Sequence, residues 1–97
     1  MHRVTLARNE ISPLLDRLIL QLEVEGRLTL RAHFRRIQRR LEVANSDSDL
    51  KSPIIDLYSA NAMGSTFSTD ASVLISRILD KSQKLADELV GQDMIKH

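Results

Sequence analysis

The stretch Leu30-Arg31-Ala32-His33-Phe34-Arg35-Arg36-Ile37-Gln38-Arg39-Arg40-Leu41-Glu42-Val43-Ala44 decides the fold class. Its apolar members Leu30, Phe34, Ile37, Leu41 and Ala44 advance by 4, 3, 4 and 3 residues. That rhythm is one narrow stripe of an α-helix, because a strand alternates its faces every second residue. Arg31, Arg35, Arg36, Arg39 and Arg40 fill the remaining circumference. The helix is expected over about 30–44, with Thr29 as its cap.

Upstream, Ile11, Leu15, Leu18, Ile19 and Leu22 form a second helical stripe. Ser12-Pro13 reads as a start, since proline loses nothing at the first helical position. A helix follows over about 13–24, beginning near Glu10 at the earliest. Gly26 ends it and permits a tight reversal, so the two segments make an αα-hairpin. Leu20 and Val24 lie nearly opposite the stripe, leaving this helix apolar on two sides.

Downstream, residues 45–52 read as a polar loop. Ser52-Pro53 is a second start signal and Gly64 a stop, giving a short third helix over about 53–63. Its apolar surface comes from Ile54, Ile55, Leu57, Tyr58 and Ala62. Ser68 or Thr69 caps a long fourth helix over about 70–90, stopped by Gly91. Ala71, Leu74, Ile78, Leu85 and Leu89 form its main stripe, widened by Ile75, Leu79, Ala86 and Val90. The expectation is an all-α, small four-helix bundle forming one domain over 1–97. The broad apolar faces predict a homodimer using Leu20, Val24, Leu79 and Val90.

Composition agrees with this class. Hydrophobic residues are 42% and charged residues 28% of 97, a globular balance that argues against disorder. Aromatics are only 3%, and no long apolar–polar alternation occurs, so strand signals are scarce. There is no cysteine, so disulfides and thiolate zinc sites are excluded. No apolar run suits a signal peptide or a membrane span, and a cytoplasmic location is expected. The net charge of +1 is unevenly spread. Residues 1–40 carry nine arginines against four acids, 9 − 4 = +5, and residues 41–97 carry five basic residues against nine acids, 5 − 9 = −4. Such a dipolar chain steers charged partners.

Candidate chemistry concentrates in the arginine helix. Arg31, Arg35, Arg36, Arg39 and Arg40 either pair with acids of the C-terminal half, such as Asp47, Asp49, Asp80 and Asp87, or face a partner. The run Arg35-Arg36-Ile37-Gln38-Arg39-Arg40 resembles arginine-rich RNA-binding peptides, which implies phosphate contacts. A helix-turn-helix fits less well, because its reading helix needs Asn, Gln and Ser where this one has arginine. Ala32-His33, followed by Arg36, resembles the histidine phosphotransfer domain, although the glycine that follows the basic residue there is Ile37 here.

Other chemistry lacks its residues. His2 and His97 are terminal, and His33 has no partner four residues on, so no metal site is expected. Asp47-Ser48-Asp49 starts like a calcium loop but lacks its glycine and closing glutamate. Every acid falls on a polar face or loop, and three glycines make no phosphate-cradling loop. No catalytic residue, cofactor or small-molecule substrate is expected. The features predict a non-enzymatic regulatory or adaptor protein that binds another protein and itself. RNA or DNA binding through the arginine helix is the alternative, and phosphotransfer through His33 is the third reading.

Overall fold

The computed structural model describes the backbone of residues 2–62 and 67–95 and the side chains of 3–57 and 67–89. Among the described residues, five α-helices and one π-turn occur: α1 (His2–Leu6), the π-turn Ala7–Ile11, α2 (Ser12–Val24), α3 (Leu28–Val43), α4 (Asp47–Ala62) and α5 (Thr69–Ile95). No strand occurs among the described residues. The first three pieces form one continuous rod, so the architecture is a four-helix bundle. It is elongated, about 46 × 24 × 18 Å.

The first rod begins earlier than the Ser12-Pro13 signal predicts, and Ser12 is no cap. Its φ and ψ of −58° and −43° are helical, and its N–H donates to the carbonyl of Ala7, five residues back. Pro13 is the cause. It has no N–H for the carbonyl of Asn9 and its ring crowds that group, so the preceding turn widens instead of ending. Val4, Ala7, Ile11, Leu15, Leu18 and Leu22 then run as one buried stripe along the whole rod.

α2 ends where expected. The Arg27 N–H donates to the Leu22 carbonyl at 2.8 Å and the Gly26 N–H to the Glu23 carbonyl at 3.0 Å. These two bonds are the pair that closes a helix through a left-handed residue, and Gly26 has φ 75°. Thr29 caps nothing: α3 starts at Leu28, after Arg27, whose side chain makes no capping bond. The stripe Leu30, Phe34, Ile37, Leu41 and Ala44 is buried as read.

The predicted loop over 45–52 shrinks to a short link. α4 starts at Asp47, and Pro53 lies inside it. Asp47 and Asp49 sit in its first turn, where the helix dipole favours negative charge. The Asp49 carboxylate also accepts from the Asn45 N–H at 3.1 Å. Leu50, fully buried, precedes Ile54 and Leu57 at helical spacing. The end near Met63, the Gly64 stop and the side chains of Tyr58 and Ala62 lie outside the described residues.

α5 is capped by Ser68, whose hydroxyl accepts from the Ala71 N–H at 3.1 Å. Gly91 does not stop it, and the helix continues to Ile95. Its buried stripe is Ala71, Ile75, Ile78, Ser82, Leu85 and Leu89, spaced 4, 3, 4, 3 and 4. Leu74, Leu79 and Ala86 flank it, partly buried against the core. Ser82 escapes a hydropathy reading; its hydroxyl is satisfied by the Ile78 carbonyl at 2.7 Å. Stripes that alternate steps of 3 and 4 average 3.5 residues, the spacing that packs helices nearly antiparallel with a left-handed twist.

Polar ties fix the order of the rods. Ser68 donates to Glu25, and Gln21 donates to the same carboxylate at 2.7 Å, joining the start of α5 to the end of α2. Lys81 pairs with Glu10 at 2.8 Å, and Arg3 reaches Asp47 at 2.7 Å and Glu88 at 3.4 Å. Each helix therefore runs antiparallel to its neighbours in an up-down-up-down square. Gln38, buried, donates to Asp16 and to the Ser12 carbonyl across the α2–α3 seam, and Ser12 donates to Glu42 at 3.2 Å. No helix among the described residues is long and apolar enough to cross a membrane.

Candidate interaction face

The buried stripe of α3 fixes what the rest of that helix presents. At about 100° per residue, Arg31 falls on the α2 side and Arg40 on the α4 side. Arg35, Arg36 and Arg39 centre on the direction opposite the core. The structure treats these groups differently. Arg40 donates to Asp56 at 2.8 Å and to the Ser52 hydroxyl at 3.2 Å. Arg31 lies 3.9 Å from Glu23, a loose pair. Arg35, Arg36 and Arg39 are exposed and make no hydrogen bond or ion pair among the described residues.

The acids expected to neutralise the helix are occupied elsewhere or distant from it. Asp47 holds Arg3, Asp49 holds the Asn45 N–H, and Asp87 accepts from Gln83 at 2.8 Å. Asp80 lies on α5, a helix diagonal to α3 in the square. Glu42, the acid nearest in sequence to the arginines, is turned to Ser12. Internal pairing is therefore met at Arg40 with Asp56, and weakly at Arg31 with Glu23. Three guanidinium groups with no acid between them make this face strongly positive.

Arg31, Ala32, Arg35, Arg36 and Arg39 line a shallow, open depression of about 320 Å³, with the small Ala32 side chain among the arginines. Farther along α3 in either direction, Leu28 is 58% exposed and Val43 71%. At the hairpin tip, Leu20 and Val24 of α2 are 60% and 76% exposed. Of the residues expected at a dimer interface, Leu20 and Val24 are thus free. Leu79 is partly buried, packed against the core. Val90 lies outside the described side chains. Leu28 was missed because its position was assigned to the turn.

His33 lies on the α4 side of α3, half-buried, its ring edge-on to Phe34 at 5.5 Å. Its Nε2 is shielded from solvent and has no hydrogen-bond partner among the described residues. Two carboxylates have displaced acidities. Lys81 holds Glu10 below its ordinary range, first by a hydrogen bond and then by its charge. The Ser68 hydroxyl and then Gln21 do the same for Glu25. Both shifts make the group a stronger acid. No group of three His, Asp or Glu residues able to hold a metal occurs among the described residues. The chain matches no protein-family model, no curated protein and no solved structure.

Proposed function

We propose that this chain is a non-catalytic interaction module whose recognition surface is the outer face of α3, with another protein as its partner. The observation that carries the reading is the set of Arg35, Arg36 and Arg39, unpaired among the described residues and bordered by exposed Leu28 and Val43. Arginine is enriched in protein interfaces and among their strongest contacts, where apolar neighbours exclude water around it.

Self-association belongs to the same proposal. Exposed Leu20 and Val24 support pairing of two copies along α2. RNA or DNA binding is the second reading, favoured by arginines that are both contiguous and unpaired. Phosphotransfer is supported by neither the shielded Nε2 of His33 nor the bulk of Ile37.

The test is affinity capture from the source cells. Wild type is compared with Arg35→Gln/Arg36→Gln/Arg39→Gln, each with and without nuclease. The proposal expects a protein retained by wild type, lost with the variant and indifferent to nuclease. Capture that disappears with nuclease would transfer the reading to nucleic acid.

A further inference from the structure

The outer face of α3 has a pattern along its length. Leu28 stands at one end and Val43 at the other, and both are well exposed. Fifteen steps at about 1.5 Å each separate them by roughly 22 Å. Between them lie Arg35, Arg36 and Arg39, unpaired among the described residues, beside Ala32, the smallest side chain on the face. Leu20 and Val24 on α2 are exposed as well.

Nucleic acid is a poor complement to that order. A phosphate backbone is charged throughout and covers neither Leu28 nor Val43 favourably. Three arginines would also engage only about three phosphates, a modest electrostatic gain. A protein helix complements all of it. Carboxylates match guanidinium groups two bonds at a time, and small Ala32 lets another backbone approach closely.

We propose that the ligand of this face is an amphipathic acidic helix of a partner protein. It is about four turns long, carries carboxylates at its centre and apolar side chains at both ends, and lies along α3 over Ala32. The proposal rests on the reading of α3 as a recognition surface.

The test uses a synthetic peptide of about four helical turns with that pattern on one face. It is compared with a scramble of equal composition, a version with glutamines for the acids, and a duplex DNA of similar length. Binding is read by fluorescence anisotropy against the full chain. The patterned peptide should bind about tenfold tighter than the scramble and the glutamine version, a difference of about 1.4 kcal/mol. Arg35→Gln/Arg39→Gln should weaken it about tenfold, and Leu28→Ser about threefold. Arg77→Gln removes an exposed, unpaired arginine on α5 and should change little. DNA bound more tightly than the peptide, with Leu28→Ser without effect, would overturn the acidic helix and leave the recognition surface standing. Failure of every probe to bind, or equal losses for Arg77→Gln and the double variant, would overturn both.

Discussion

Gly26 and Gly91 provide a test in which one substitution has opposite signs at two places. Gly26 holds φ at 75°, and a Cβ added there would meet nothing within 4 Å. The cost of Gly26→Ala is therefore backbone strain alone, about 1–2 kcal/mol for a left-handed residue. Alanine also narrows the unfolded ensemble, which returns about 0.4–1 kcal/mol. The net loss is about 1 kcal/mol, or roughly 4–8 °C in Tm for a domain of this size. Gly91 lies inside α5, so Gly91→Ala should raise stability. The gain is about 0.5 kcal/mol, the low end of the helix preference for alanine, because Ile95 ends the helix soon after. Thermal unfolding followed by circular dichroism measures both, and Gly26→Asn should lose less than Gly26→Ala because asparagine tolerates the left-handed region. A neutral or stabilising Gly26→Ala would refute the left-handed closure of α2. A complete loss of folding would refute the open space around it.

Phe34 is 2% exposed and contacts His33 and Phe67; Phe34→Ala should cost about 3–5 kcal/mol in urea unfolding, and a loss below 1 kcal/mol would make it peripheral. Glu25 has its pKa lowered from 4.5 by Ser68 and then Gln21. The carboxylate therefore contributes stability above its unfolded pKa, and that contribution is lost as pH falls through the lower folded value. Urea midpoints should drop on acidification below about pH 4.5, less steeply in Glu25→Gln, and identical slopes would remove Glu25 from the account. Light scattering at micromolar concentration should find a dimer that Leu20→Ser returns to monomer; a monomeric wild type would withdraw self-association.

The core was the most legible part of the sequence, because steps of 3 and 4 apolar residues have one helical solution. Leu30, Phe34, Ile37 and Leu41 are buried as that rhythm requires. Helix boundaries were less legible where a local signal competed with tertiary packing. Pro13 and Pro53 each read as a start, yet packing of Val4, Ala7 and Leu50 extends both helices past the proline. The signal for the earlier start of α4 was present in Ser46-Asp47-Ser48-Asp49, a polar residue followed three later by an acid. Gly26 and Gly91 look alike in sequence and differ in structure: the first adopts a left-handed φ of 75° after α2, while the second lies inside α5. For the candidate site, the arginine positions were readable, but their pairing was not. That Arg40 finds Asp56 while Arg35, Arg36 and Arg39 find no partner among the described residues depends on where α4 lies.

The central claim is that these three arginines serve no internal partner, and stability measures it most directly. Urea unfolding of Arg35→Gln/Arg36→Gln/Arg39→Gln should match wild type within about 0.5 kcal/mol, as for surface changes away from structural contacts. A slight gain is also consistent, since Arg35 and Arg39 are like charges one turn apart. Arg40→Gln, which loses Asp56 and Ser52, should instead cost up to about 1 kcal/mol for a partly exposed pair. A triple variant that loses more stability than Arg40→Gln would mean that the arginines hold the fold together, and the recognition face would not exist.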